Sequence, residues 1–155
     1  MRKIILVRHG ESADKQAGQT DFERVLTDRG QHSIRQLGKC FNQENIFPNH
    51  IFSSPVIRAK QTAALIAEVI NFLDPIEYED SLNIGSDSDY LDIITNAAGT
   101  LIIVGHNPTI SFVTGKLVGY STSLLPGQAC IVEMDDGNVK DLRAGIAQLV
   151  GPFHK

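Results

Sequence analysis

Apolar residues along this chain occur in short runs, and polar stretches with helical spacing separate the runs. Two of the apolar runs, at residues 3–8 and 100–104, contain almost no polar residue. Such a continuous run indicates a strand that is buried on both faces, because a strand with one face in water alternates apolar and polar residues. The shorter runs at residues 50–53 and 76–79 predict two further strands.

Two helices are predicted in the first half of the chain. Residues 28–42 place apolar side chains on one helical face, and Thr27 before them is a typical N-cap. A second helix is predicted after Ser54 as its N-cap, with Pro55 at the first helical position, and it is expected to end near Asn71.

Two more helices are predicted in the second half of the chain. Residues 87–98 form the weaker of the two, with Ser86 as its cap and Gly99 as its terminator. The dipeptide Asn107-Pro108 opens the other helix, which is expected to end near Gly119.

The C-terminal part of the chain predicts a β-hairpin. Residues 128–134 and 139–148 have the character of strands, and Asp136-Gly137 between them is a turn signal. Strands that alternate with helices predict an α/β fold with a mostly parallel sheet, to which the hairpin adds antiparallel strands at one edge. The 155 residues contain no repeat or linker, and so we expect a single domain over residues 1–155.

The composition is that of a globular protein, with 42 % hydrophobic and 21 % charged residues. The apolar runs are too short for a membrane helix or a signal-peptide core, so we expect a cytoplasmic protein without a membrane partner. The formal net charge of −4 argues against nucleic acid as a partner. Cys40 and Cys130 are far apart in the sequence and form no metal-binding motif, which is typical of free thiols in a reducing compartment.

Basic and imidazole side chains follow three of the predicted strands. The first buried strand leads into Arg8-His9-Gly10, and the second leads into Gly105-His106-Asn107-Pro108. The short strand at 50–53 leads into Ser53-Ser54-Pro55, and Arg58 lies in the first turn of the helix that follows. Ligands of open α/β sheets bind beyond the carboxyl ends of the strands, so we expect these side chains to meet at one edge of the sheet.

This set of residues is suited to phosphoryl chemistry. Arg8 and Arg58 can hold phosphoryl oxygens by charge-assisted hydrogen bonds, and the helix N-terminus at Arg58 adds backbone donors. A neutral imidazole can attack phosphorus and form a phosphohistidine, while a second, protonated histidine can stabilise the charge on the equatorial oxygens. The scheme needs no metal and no other cofactor.

Other interpretations of the two histidines stay open at this level. A zinc site built from His9 and His106 lacks a third ligand and would place two arginines beside a cation. Taken alone, His106 is also compatible with a hydrogen-bonded core histidine, and a phosphate-binding module without catalysis is a further alternative. Gly10 and Gly105 are expected to leave room for the backbone to approach a ligand.

The chain resembles the histidine phosphatase superfamily, the phosphoglycerate-mutase-like group, in motifs that follow the family's order between residue 4 and about residue 118. These motifs are Leu6-Val7-Arg8-His9-Gly10-Glu11-Ser12, Leu26-Thr27-Asp28-Arg29-Gly30, Phe52-Ser53-Ser54-Pro55-Val56-Ile57-Arg58-Ala59-Lys60-Gln61-Thr62-Ala63 and Val104-Gly105-His106-Asn107-Pro108. The resemblance implies a three-layer α/β/α sandwich. It also implies that His9 is the phosphoryl-accepting nucleophile and that Arg8, Arg58 and His106 complete the phosphate pocket.

The chain departs from the family at the segment where many members carry a carboxylic general acid. The comparable residues here are Ser81-Leu82-Asn83-Ile84-Gly85, and the amide of Asn83 cannot act as an acid. The remaining carboxyl groups that would have to reach the site are Glu11, Glu79, Asp80 and Asp87.

The absence of a general acid restricts the leaving groups that the site can release. The imidazole that leaves from phosphohistidine has a conjugate-acid pKa of ~6.5, whereas that of an alkoxide is near the ~15.7 of water, and only the alkoxide needs a strong proton donor. The site therefore resembles the SixA-type branch, phosphohistidine phosphatases that act on signalling or phosphotransfer proteins. The expected partner is a phosphorylated protein such as a histidine-phosphotransfer domain. The alternative is a small-molecule phosphomonoesterase that acts on phosphorylated metabolites such as sugar or nucleotide phosphates.

Overall fold

The computed structural model describes residues 2–134 and 147–153. The strands are β1 (Arg2–Arg8), β2 (His50–Ser53), β3 (Glu77–Tyr78), β4 (Leu101–Gly105), β5 (Ala129–Met134) and β6 (Ala147–Val150). The helices are α1 (Asp28–Gln43), α2 (Ile57–Ile70), α3 (Ser81–Ile84), α4 (Asp87–Asn96) and α5 (Thr109–Val118), and a single-turn 3-10 helix lies at Asp21–Glu23. Within the described ranges, none of the helices combines the length and the apolar composition needed to cross a membrane.

The strands form one sheet in the order β3-β2-β4-β1-β5-β6. The first four in this order are parallel to their neighbours, while β5 is antiparallel to β1 and β6 is antiparallel to β5. This arrangement confirms the predicted parallel sheet with an antiparallel C-terminal edge. The predicted turn at Asp136-Gly137 and most of the predicted strand 139–148 lie outside the described residues.

Helices cover both faces of the sheet, which confirms the three-layer sandwich. The first two helices pack on one face, where Ile5 and Val7 of β1 join the core. The other three pack on the opposite face, against Ile4 and Leu6. All four β1 side chains are fully buried, as the continuous apolar run predicts.

The start of α2 differs from the prediction. The helix begins at Ile57 with Val56 as its N-cap, so Ser54 is not the cap and Pro55 precedes the helix. The reason is a hydrogen bond of 3.0 Å from the Ser54 N–H to the carbonyl oxygen of Val104. This bond continues the hydrogen bonding between β2 and β4 for one residue beyond the end of β2.

The other helix ends agree with the predictions more closely. Thr27 caps α1, and its side chain accepts a hydrogen bond from the N–H of Gly30. Ser86 caps α4, but that helix ends at Asn96, and Gly99 lies in the turn beyond it with a φ of +82°. The 3-10 turn and α3 were not predicted, because a single turn is too short to show helical periodicity.

Gly30 provides a test of how tightly α1 docks against the loop that follows β1. A Cβ atom at this position would overlap the carbonyl oxygen of Glu11. We therefore expect Gly30→Ala to lower the free energy of unfolding by at least about 2 kcal/mol, although alanine is the better helix former by about 1 kcal/mol. Urea denaturation measures the change, and Lys39→Ala on the exposed side of α1 is the control. A Gly30→Ala protein as stable as the wild type would contradict the close approach.

Candidate active site

The side chains that follow β1, β2 and β4 meet in one cavity, as the sequence predicts. The cavity has a volume of about 300 Å³, and Arg8, His9, Arg58 and His106 all line it. The rings of the two histidines are tilted by 55°, and their centres lie 5.1 Å apart. The other lining residues are Gly10, Glu11, Ser12, Arg24, Asn107 and Pro126.

Hydrogen bonds assign the tautomer of His9. Its Nδ1 lies 2.9 Å from the carbonyl oxygen of Gly10, which can only accept, so Nδ1 carries the proton. Its Nε2 accepts a hydrogen bond of 3.4 Å from Nε of Arg58 and therefore carries a lone pair. Burial lowers the pKa of His9 to about 3, and the positive charges around the cavity act in the same direction. At neutral pH, His9 is an uncharged base.

Arg58 lies in the first turn of α2 and is buried beside His9. Its Nη1 donates to the carbonyl oxygen of Asp21 at 2.9 Å, and its Nη2 donates to the Asp21 carboxylate at 3.2 Å. Thr62, one turn further along, donates its hydroxyl proton to the Arg58 carbonyl at 2.8 Å and accepts from the N–H of Gly10 at 3.0 Å. Thr62 thereby fastens the loop of His9 to the helix of Arg58.

Arg8 is held from the opposite side of the cavity. Its Nη1 donates to the carbonyl oxygen of Leu124 at 3.0 Å, and Nδ2 of Asn107 donates to the same oxygen at 2.9 Å. The Nε–H of Arg8 is buried and has no acceptor within residues 2–134 and 147–153. The guanidinium group of Arg8 carries five N–H donors, and because Arg8 lines the cavity it can bind an anion there.

Ser54 and Tyr90 hold His106. Nε2 of His106 lies 2.8 Å from the Ser54 hydroxyl oxygen, and its backbone N–H donates to the Tyr90 hydroxyl at 3.4 Å. Burial, together with the charges of Arg58 and Arg8, lowers the pKa of His106 to about 4, although the Asp21 carboxylate acts in the opposite direction. His106 is therefore neutral in this structure at physiological pH, whereas the sequence analysis considered its protonated form.

Sequence reasoning missed Ser54 and Arg24 as parts of the site. Ser54 follows β2 as directly as His9 follows β1, and the strand-end argument applied to it equally. Arg24 lines the cavity from the segment between β1 and α1. Apolar residues are not regularly spaced in this segment, and so the sequence does not indicate which of its side chains face the protein interior. For Arg24 the sequence contains no signal of this kind.

The structure distinguishes among the four candidate acids. Of these carboxyl groups, Glu11 lines the cavity, and its Oε1 accepts a hydrogen bond of 2.9 Å from the Thr27 hydroxyl. Glu79, Asp80 and Asp87 are not among the residues around the cavity, and Glu79 lines a separate depression beside β2 and α4.

The two glycines of the histidine motifs have a packing role that the sequence analysis did not consider. A Cβ atom at Gly105 would overlap the hydroxyl of Tyr90, and one at Gly10 would lie 2.9 Å from Cγ1 of Ile34. Protein side chains therefore fill the space beside both glycines. The packing of the core thus requires their small size, and Gly10 also lines the cavity.

A metal centre does not fit the arrangement of the described residues. Within residues 2–134 and 147–153, no three His, Cys, Asp or Glu side chains are placed to hold one ion. His9 and His106 share their cavity with two guanidinium groups, which oppose a cation and favour an anion. This donor set fits a phosphoryl group.

Sequence comparison agrees with this geometry. The sequence model of the histidine phosphatase superfamily (branch 1) matches residues 4–83, which are 80 of the 155 positions. The chain belongs to the histidine phosphatase superfamily. The matched segment includes Arg8, His9 and Arg58, and it ends before His106.

Curated relatives in this superfamily match different shares of the chain. The mitochondrial serine/threonine-protein phosphatase Pgam5 of Drosophila mojavensis is 39 % identical over 71 residues, 46 % of this chain and 24 % of Pgam5. The chain thus spans about a quarter of the length of this relative. The phosphohistidine phosphatase SixA of Escherichia coli (strain K12) is 24 % identical over 120 residues, 74 % of this chain and 73 % of SixA.

Solved structures share the fold along nearly the whole chain. The putative phosphohistidine phosphatase SixA from Agrobacterium tumefaciens has a TM-score of 0.86 at 21 % identity and covers 97 % of this chain and 98 % of its own. The protein histidine phosphatase SixA complexed with tungstate has a TM-score of 0.80 at 17 % identity and covers 97 % of both chains. At these identities the similarity shows the histidine phosphatase fold.

The lowered pKa of His106 predicts how stability depends on pH. Between about pH 6.5 and pH 4, the unfolded chain binds a proton at this histidine that the folded protein does not, so stability falls as the pH falls through this range. Between pH 7.5 and pH 5, we expect the wild type to lose about 2 kcal/mol more unfolding free energy than His106→Gln. Denaturation in phosphate-free buffers checks the difference, and parallel stability curves for the two proteins would contradict it.

Proposed function

We propose that this protein is a phosphatase in which His9 attacks the phosphoryl group of a phosphohistidine on a signalling or phosphotransfer protein. The observation that carries the proposal is the state of His9. The ring is neutral, Nδ1 is committed to the Gly10 carbonyl, and the lone pair of Nε2 lies beside Arg58. A neutral imidazole positioned in this way is an activated nucleophile.

The phosphoryl oxygens would be held by Arg8, Arg58 and His106. Arg8 contributes its guanidinium group, which lines the cavity. Arg58 adds further N–H groups and the N-terminus of α2 behind it. The pKa of about 4 makes His106 neutral at physiological pH, and a dianion bound beside it would raise that pKa and favour the protonated form. All three groups can bind the extra charge that develops on the equatorial oxygens during transfer.

The reaction has two steps. In the first, Nε2 of His9 forms a bond to phosphorus while the bond between phosphorus and the substrate imidazole breaks. The substrate ring carries a proton on its other nitrogen, and so it leaves as neutral imidazole. In the second, a water molecule attacks the phosphorus of phospho-His9, inorganic phosphate leaves, and His9 recovers its lone pair. Both steps break a P–N bond, so neither needs the strong proton donor that an alkoxide leaving group requires.

Surface features next to the cavity support a protein as the substrate. A groove of about 650 Å³ is lined by Phe112 and Tyr120, and Asn107 lines both this groove and the cavity. Phe112 and Tyr120 are more than half exposed, and so is Leu125, next to the cavity residue Pro126. Exposed apolar side chains near a site are typical of a surface that contacts another protein. The names of SixA and Pgam5, both protein phosphatases, support the same substrate class.

The position of Glu11 favours a second candidate function. A carboxyl group at the cavity can protonate an alkoxide, so the same residues would serve a small-molecule phosphomonoesterase that acts on sugar or nucleotide phosphates. Against this candidate, Oε1 of Glu11 is engaged by the Thr27 hydroxyl, and the second carboxylate oxygen lies 4.0 Å from Nε of Arg29. Both carboxylate oxygens of Glu11 therefore already have partners within the protein.

Hydrolysis without added metal tests the nucleophile. We expect the purified protein to release phosphate from a phosphohistidine-bearing phosphotransfer domain, and His9→Ala to lose at least about 10³-fold in kcat. Arg58→Ala is expected to lose about 10²- to 10³-fold, because it removes a donor to the transition state. His32→Ala, a histidine of α1 outside the cavity, is the control. Full turnover by His9→Ala would contradict the covalent route, and no turnover by the wild type on any phosphate would favour a binding module.

Glu11→Gln separates the two candidate functions. If Glu11 is an acid, the substitution lowers ester hydrolysis by about 10²-fold and leaves an activated phosphoramidate as the better substrate. We expect instead that the wild type already prefers the phosphoramidate, and that Glu11→Gln changes the ratio of the two rates by less than about threefold. Rates on a chromogenic alkyl phosphate ester and on a phosphoramidate give this ratio. A fast ester reaction that depends on Glu11 would place the phosphomonoesterase first.

A further inference from the structure

We propose that Asp21 is a positioning residue that orients Arg58 toward the phosphoryl group, and that Arg24 in turn holds Asp21. The inference rests on the proposed function, in which Arg58 binds the phosphoryl oxygens. Asp21 contacts the guanidinium twice, through its backbone carbonyl at 2.9 Å and through its carboxylate at 3.2 Å. Two acceptors on one residue fix both the position and the plane of a guanidinium group.

Arg58 needs such support because its side chain is long and can adopt many rotamers, so that ordering it costs conformational entropy. Its Nη1 and Nη2 are engaged by Asp21, and its Nε donates to His9. Each Nη atom carries a second hydrogen that these bonds do not use. Asp21 can therefore hold the guanidinium while donors remain for phosphoryl oxygens.

Arg24 explains how an exposed carboxylate can orient a buried arginine. The Asp21 side chain is 67 % exposed, and an isolated pair at that exposure would contribute little. Nη1 of Arg24 donates to Oδ1 of Asp21 at 3.1 Å, while Arg58 takes Oδ2, so each carboxylate oxygen has its own arginine. Arg24 is itself anchored to the loop after β1, through the Ala13 carbonyl at 2.9 Å and the Ser12 hydroxyl at 3.0 Å. The chain of bonds thus runs from this loop to Arg58.

The same carboxylate has an alternative role with the opposite effect. If Asp21 acted as an internal anion that competes with phosphate for Arg58, its removal would tighten anion binding. If it positions Arg58, its removal weakens binding and turnover together. Glu23 is a matched control for charge, because it lies on the same 3-10 turn and its carboxylate accepts from Thr20 instead.

A double-mutant cycle with two measurements tests the proposal. Tungstate, a tetrahedral oxyanion, serves as the binding probe, and phosphohistidine hydrolysis gives kcat. We expect Asp21→Ala to weaken tungstate binding and to lower kcat by about tenfold each, and to change either by less than twofold in an Arg58→Ala background. Asp21→Asn keeps one acceptor oxygen, so we expect a smaller loss than with alanine. Glu23→Gln should leave both quantities within twofold of the wild type.

Each other result overturns the inference. Equal losses in both backgrounds would mean that Asp21 acts independently of Arg58, and tighter binding in Asp21→Ala would show a competing anion. Tungstate binding and kcat equal to those of the wild type in Asp21→Ala would show that the carboxylate contact has no effect. If the alanine variant does not fold, tungstate binding and kcat of Asp21→Asn provide the same test. Failure of the proposed function is recognised separately, because a protein without phosphatase turnover can still show the coupling in tungstate binding.

Discussion

The parallel pairing of β1, β4 and β2 is the constraint on which the site depends. The register places Arg8 opposite Gly105 and Ser53 opposite Val104. His9, Ser54 and His106 therefore leave the sheet within one residue of the same level. Without this register the two histidines would not lie with their rings 5.1 Å apart. A slip of one residue would also turn β1 side chains to the opposite face and disrupt both halves of the core.

Electrostatics at this edge couples binding to reactivity. Burial lowers the pKa of both histidines, and the charges of Arg8 and Arg58 act in the same direction. The guanidinium groups, which are suited to binding an anion, thus also help to keep His9 unprotonated. A cavity with fewer positive charges would attract an anion less strongly and would protonate its histidines more readily.

Hydrogen bonds from outside the strands hold the loops of the site in place. Thr62 links the N–H of Gly10 to the carbonyl of Arg58, and the Leu124 carbonyl accepts from both Arg8 and Asn107. Apart from the bond between Thr62 and Arg58 within α2, each of these bonds joins residues far apart in the sequence. The cavity is therefore shaped by contacts among several elements, in which α2 and the loop before β5 matter as much as the strand ends.

The sequence by itself determined the elements of the core and the main residues of the site. Continuous apolar runs identified β1 and β4, because burial on both faces leaves no polar position in a strand, and the strand-end rule placed Arg8, His9 and His106 at one edge. Tertiary structure decided the roles of Ser54 and Arg24. The backbone N–H of Ser54 bonds to Val104 of β4, and so Ser54 is not a helix cap. Arg24 lines the cavity from a segment whose sequence has no helical or strand periodicity. The spacing of apolar and capping residues indicates which segments are buried and where helices end. The positions of Ser54 and Arg24 depend instead on hydrogen bonds to other segments of the chain, which produce no regular spacing in the sequence.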